Sequence, residues 1–154
     1  MHFNMKCFFY FLTFILNTYI VLAEDIRLLV AAWDRVMLMD ANGTTLEIIV
    51  KTDNYDIQSV AFHETKNYIY WSSWSGNITR LKYPSIDNDT EVIFHQEAGS
   101  CSSSIAVDSI NDYLYWSNCS DLVRSNLDGL DITPILNFST NGSVGILEVD
   151  SRNG

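Results

Sequence analysis

The chain has 154 residues, with 9 Lys and Arg against 19 Asp and Glu and a formal charge of −10. That balance excludes a binder of nucleic-acid backbones, which needs basic surface to displace counterions. With 47% hydrophobic and 13% aromatic residues but only 2 Pro and 7 Gly, it also carries too much apolar surface for a disordered tail, and reads as globular, acidic and aromatic-rich.

Lys6 precedes an apolar run from Cys7 to Ile20, and Val21-Leu22-Ala23 then offers a small-residue cleavage pattern before Glu24. These are the three regions of a secretory signal peptide. Asn17 and Thr18 interrupt the run, whereas an uncleaved anchor needs about 20 clean apolar residues to span. Residues 1–23 are therefore expected to be removed, leaving a soluble extracellular chain, 24–154, that inserts into no membrane itself. Lys6 is the only charged side chain before Glu24, so removal makes the remainder one unit more negative. Six Asn-x-Ser/Thr sequons, at Asn42, Asn77, Asn88, Asn118, Asn137 and Asn141, are candidate glycosylation sites that agree with export. Cys101 and Cys119 remain once Cys7 has left with the signal; one pair suits a disulfide and is too few for a disulfide scaffold.

Beyond the signal the chain repeats. Arg27 to Gly43 aligns without gaps to Tyr113 to Gly129, so that Leu28-Leu29-Val30 takes the place of Leu114-Tyr115-Trp116 and Asn42-Gly43 that of Asp128-Gly129. Ser59 to Ser72 aligns to Ser104 to Ser117, 45 residues on, with six identities in 14, and Leu147 to Ser151 matches Ile105 to Ser109, 42 residues on. Runs such as Ser104 to Asp108 and Tyr113 to Ser117 are short, β-branched and aromatic, which predicts strands. Asn42-Gly43 and Asp128-Gly129 are hairpin-turn dipeptides whose backbones accept positive φ. Leu46 to Val50, Glu91 to Phe94 and Ile132 to Leu136 supply an outermost strand for each unit. Four strands every 42 to 45 residues is the period of a β-propeller blade. With strands labelled A to D outward, the mature chain is expected to run BCD, ABCD, ABCD, A.

Tyr70-Trp71-Ser72-Ser73 and Tyr115-Trp116-Ser117-Asn118 resemble the YWTD repeat of low-density-lipoprotein-receptor-type six-bladed propellers, and Val123 to Gly129 resembles the Arg-x-Asn-Leu-Asp-Gly turn that follows it. The resemblance covers roughly Arg27 to Gly154 and implies an all-β fold, a partial six-bladed YWTD-type propeller of about three blades. The family's buried Asp is absent from both units, replaced by Ser73 and Asn118. Strands that begin within a few residues of the cleavage site, with Leu28-Leu29-Val30-Ala31 and Leu38-Met39-Asp40-Ala41, resemble the Wnt co-receptor branch of the lipoprotein-receptor-related proteins. That likeness implies non-catalytic binding of a secreted protein ligand, of the Wnt pathway in that branch, by a rigid ring whose parent is a single-pass plasma-membrane receptor. The alternative is a secreted matrix or adhesion protein of the nidogen type.

Tyr68, Tyr70, Trp71, Tyr113, Tyr115 and Trp116 are assigned to packing between blades, since a propeller sheet is covered on both faces. His63 and His95 stand in no metal-spaced cluster or nucleophile motif. A metal-dependent propeller hydrolase would draw on Asp40, Asp108, Asp112 and Asp150, but Asp108 and Asp150 recur at matched positions, as turn residues do. No enzyme, metal or cofactor is therefore expected. Asp87-Asn88-Asp89 lacks calcium-loop spacing and reads as a solvated turn. The acidic excess either attracts basic segments of a ligand or serves solubility. If Asp108 faces Tyr113, the A/B register puts Cys101 opposite Ser120, one place from Cys119; a one-residue shift pairs the cysteines but flips faces. Asp150 to Gly154 stops where the next Tyr-Trp strand is due, so a partial gene product is expected, the alternative being a homodimer that closes a six-bladed ring with twofold symmetry.

Overall fold

The computed structural model describes residues 19–22, 27–54, 56–95, 104–118, 121–138 and 145–150. The first sheet is β1 (Tyr19–Leu22), β2 (Arg27–Ala32), β3 (Arg35–Asp40) and β4 (Thr45–Lys51), and the second is β5 (Ile57–His63), β6 (Tyr68–Ser73), β7 (Asn77–Lys82) and β8 (Thr90–His95). The third is β9 (Ile105–Asp108), β10 (Tyr113–Asn118), β11 (Asp121–Asn126) and β12 (Thr133–Asn137). Each is an antiparallel meander in which sequence neighbours pair, so each is one four-stranded blade. The B and C strands of the first and third blades share the register of the ungapped alignment: Leu29 pairs Leu38, and Tyr115 pairs Arg124.

The core lies between blades rather than within one. A first layer joins Leu29, Ala31, Val36, Leu38 and Ile49 of blade 1 to Ile57, Val60, Ile69, Trp71 and Leu81 of blade 2. A second joins Ala61, Tyr70 and Ile78 of blade 2 to Ile105, Leu114, Trp116, Val123 and Leu127 of blade 3. Strand periodicity sends consecutive side chains to opposite faces. Tyr70 therefore packs forward onto blade 3 while Trp71 packs back onto blade 1, and Trp116 packs back in its turn, its ring 5.1 Å from Phe94. Burying such a ring contributes on the order of 1.5 to 3 kcal/mol.

At the hub, successive inner strands are tied by a recurring serine: Ser59 Oγ accepts from the Ile105 N–H at 3.3 Å, and Ser104 Oγ from the Leu147 N–H at 2.8 Å. The segment 145–150 thus sits where a fourth inner strand would, its exposure alternating along Leu147 to Asp150, but it joins no ladder among the described residues, where a strand was expected. Ladder bonds need a neighbouring B strand, and among the described residues none lies beside it. The first blade departs from expectation as well. Its A position is filled by β1, which comes from the stretch assigned to the signal, with Tyr19 opposite Val30 and Leu22 opposite Arg27. An open strand edge recruits whatever apolar segment is at hand, and Tyr-Ile-Val-Leu is one.

The C/D turns of blades 1 and 3 match bond for bond. Asp40 Oδ1 accepts from the N–H groups of Asn42 and Thr44, and Asn126 Oδ1 from those of Asp128 and Leu130. Gly43 and Gly129 both hold positive φ, at 85° and 73°. They differ in surroundings, since a Cβ on Gly129 would lie 2.4 Å from the Ile93 carbonyl oxygen, while one on Gly43 would meet nothing within 4 Å. Gly43→Ala should lose about 1 to 2 kcal/mol from left-handed strain alone, and Gly129→Ala clearly more, because a blade contact must also open. Equal losses in paired urea titrations would contradict this packing.

Candidate functional site

Blades 2 and 3 are clamped by Arg80 on β7. Its guanidinium donates to the Leu127 carbonyl at 3.0 Å and to the carboxylates of Asp128 and Glu91, and lies 5.0 Å from the centre of the Tyr68 ring. Burial works against its charge, but the two carboxylates outweigh that and hold it firmly protonated. The Tyr70 hydroxyl donates to the same Leu127 carbonyl at 3.4 Å, and burial pushes its pKa to about 12. Such bonds to charged groups are stronger than neutral ones.

A second tie passes through His63, which is fully buried. His63 occupies the repeat position of Asp108, whose Oδ1 accepts from the N–H groups of Ile110 and Asn111. The imidazole reproduces that cap, Nδ1 accepting from the Lys66 N–H at 3.3 Å, and its Nε2–H reaches Asp112 Oδ1 of the next blade at 2.9 Å. Lys66 Nζ donates to Asp112 Oδ2 at 2.6 Å. That bond, assisted by the one from His63 and opposed by burial, holds the Asp112 carboxyl below its ordinary range.

The exposed chemistry gathers on the rim formed by the B/C turns and D/A connection. Trp33 and Trp74, one residue past the second strand in their respective blades, are 55% and 66% exposed. The connection between blades 1 and 2 threads between them. The Ile57 N–H donates to the Trp33 carbonyl at 3.0 Å, and the Trp74 N–H to the Asp56 carbonyl at 2.7 Å. Two strand-like spacings put the tryptophan backbones roughly 10 Å apart. Thr52 N–H to the Asp34 carbonyl, and Ser75 Oγ to Asp56 Oδ2, fix the same turns. Ser73, at the end of β6, also serves here: its Oγ accepts from the Asn77 N–H at 3.2 Å and bonds Ser75 Oγ. Below the rim, a cleft of about 470 Å³ between blades 1 and 2 is lined by Lys51, Thr52, Asp56, Ser73, Asn77 and Thr79 among others.

Tyr70, Trp71 and Trp116 lie buried in the blade layers, and Tyr115 is half-buried on the outer side of blade 3. The four aspartates do not meet: Asp40 and Asp108 cap turns, Asp112 bonds His63, and Asp150 lies in the extended segment. Among the described residues no three His, Cys, Asp or Glu side chains converge as metal ligands would. Cys101 and Cys119 lie outside the described residues. The described A/B ladder of blade 3 pairs Tyr113 with Asp108 and Trp116 with Ile105. Of the sequons, Asn42 and Asn88 sit on exposed turns, Asn77 opens β7, and Asn118 closes β10. Asn137 closes β12 with its Nδ2 on Asp121 at 2.7 Å, and Asn141 lies outside the described residues. Sequence reasoning overlooked Arg80, the His63 tie and both rim tryptophans. The shared place of Trp33 and Trp74 after the second strand was the available clue.

Neither protein-family models nor curated proteins match the chain. Solved structures do. A chain of a nidogen/laminin complex matches with a TM-score of 0.60 at 17% identity, over 73% of this chain and 45% of that one. The β-propeller domain of Cps50 (Swd1) from Myceliophteria thermophila matches at 0.55 and 13%, over 82% and 44%. A structural-genomics protein of Bacteroides thetaiotaomicron matches at 0.54 and 15%, over 86% and 33%. The fold is that of a β-propeller. This chain spans less than half the length of each of these three.

Two outcomes follow from these surroundings. Because the folded pKa of Asp112 is depressed, its contribution is present above about pH 4 and lost as the pH falls below that. The stability gap between the natural chain and Asp112→Asn should therefore narrow on acidification, and a constant gap would refute the tie. In a glycosylating host, peptide mapping should find sugar on exposed Asn88 and not on Asn77. The latter's Nδ2 donates to Ser75, its Oδ1 meets His95, and Thr79 of its sequon is buried.

Proposed function

We propose that this chain works as a non-catalytic, extracellular protein-binding propeller that takes its ligand on the Trp33 and Trp74 rim. The carrying observation is the pair of exposed tryptophans on two turns that are each hydrogen-bonded to the connection between blades 1 and 2. Large exposed aromatics on rigid supports are what interface hot spots are made from. Asp56, bonded to the Trp74 turn, and the overall charge of −10 favour a ligand segment that brings basic side chains.

Within this reading the chain belongs to a receptor of the lipoprotein-receptor-related kind, with the Wnt co-receptor branch favoured by the likeness of the Tyr-Trp-Ser units and the Leu-Asp-Gly turn. A matrix connector is the second reading, favoured by the likeness to a chain of a nidogen/laminin complex, which bears on fold alone. Export by removal of residues 1–23 belongs to both, and N-terminal sequencing of secreted protein should begin at Glu24.

The purified chain, immobilised and presented with Wnt-type glycoproteins or with laminin, should bind one class. Trp33→Ala combined with Trp74→Ala should weaken that binding about 30-fold or more, as for a 2 kcal/mol hot spot. Undiminished binding by the double variant would refute the rim, and binding of neither class would refute both readings of the partner.

A further inference from the structure

Blades 2 and 3 meet closely where Arg80 takes up the turn at Leu127 to Gly129. Blades 1 and 2 instead leave the cleft of about 470 Å³, a volume in the range of small-ligand sites. One wall comes from blade 1 and the chain leaving it, Ile49 to Thr52, and the other from Thr79, Asn88, Thr90 and Val92 of blade 2.

Asn88-Asp89-Thr90 is a sequon, and its asparagine and its threonine both line this cleft. The loop that carries them is held at two points. The Tyr83 hydroxyl donates to Glu47 Oε2 of blade 1 at 2.7 Å, and Ser85 Oγ accepts from the Asn88 N–H at 2.9 Å. Asn88 has a φ of 53°, in the left-handed region that asparagine tolerates better than most residues. Its carboxamide makes no hydrogen bond among the described residues and the residue is exposed, so Nδ2 is free to accept a sugar. The cleft is also amphipathic in the way a sugar ring is. Val92 is 56% exposed on one wall, while the Thr79 and Thr90 hydroxyls and the Lys51 amino group have no hydrogen-bond partner among the described residues.

We propose that the cleft between blades 1 and 2 holds the first sugars of an oligosaccharide carried by Asn88, a proposal that rests on the export of the chain argued above. The host's transferase joins the anomeric carbon of a lipid-linked oligosaccharide diphosphate to Asn88 Nδ2; the bond from that carbon to the diphosphate breaks and Nδ2 gives up a proton. The attachment point then fixes where the first N-acetylglucosamine lies. It sets its C–H face against Val92 and turns its hydroxyls toward Thr79 and Lys51. Seated there, the sugar ties blade 2 to blade 1 from outside, as Arg80 ties blade 2 to blade 3.

The test uses the full chain behind an added secretory leader in a glycosylating host, so that failure of the chain's own signal does not interfere. Each glycan is trimmed to its first N-acetylglucosamine. Nuclear Overhauser contacts should join the ring protons of the Asn88 sugar to the Val92 methyls. The gap in thermal midpoint between the natural chain and Thr90→Ala, which abolishes the sequon, should be wider by roughly 2 to 4 °C in glycosylated protein than in bacterial protein. Val92→Lys, on an exposed position, should remove that widening without removing the sugar. An unmodified Asn88, a sugar with no contact to Val92, or an equal gap from both hosts would each overturn the proposal. None of these results bears on ligand binding at Trp33 and Trp74, which is measured separately.

Discussion

Everything in this fold depends on one constraint: a sheet with apolar side chains on both faces must be covered on both. The Tyr-Trp pair shows how the chain meets it. Adjacent residues on a strand point oppositely, so Trp71 anchors blade 2 to the blade before it and Tyr70 to the blade after it. Among the described residues both core layers lie between blades, so stability is a sum over blade contacts, as in other repeat architectures.

The polar groups follow the same logic. A partly buried guanidinium such as Arg80 is stabilised by the carbonyl and two carboxylates around it, and two of these come from the next blade. His63 likewise caps its own turn with one nitrogen and crosses to the next blade with the other. These groups convert greasy contact between blades into a fixed alignment. The rim between blades 1 and 2 is fixed by bonds of its own, because the turns that carry Trp33 and Trp74 are both held to the connection joining their two blades.

The repeat made most of the architecture legible. A hydrophobic alternation of period two, interrupted by Asn-Gly or Asp-Gly, specifies strands and turns locally, and recurrence every 42 to 45 residues assembles them into blades. Illegible were the choices made across distance. That His63 would stand in for an aspartate and still cap the turn depends on Asp112, 49 residues away. That Trp33 and Trp74 would be neighbours, while Trp71 and Trp116 are buried, depends on which side of a blade each faces. The inner strand of blade 1 is the sharpest case: β1 pairs with β2 because an edge was open there, and composition alone marked the same residues as a signal.

The sequence by itself determined most of the strands and turns, the blade period and the acidic character of the chain, because these arise from short-range alternation, turn chemistry and composition. The tertiary structure alone decided which residues became clamps, which stayed exposed, and that Gly129 is wedged against Ile93 while Gly43 stands free. Two turns with the same hydrogen bonds differ only in what lies beside them, and that neighbour belongs to another blade.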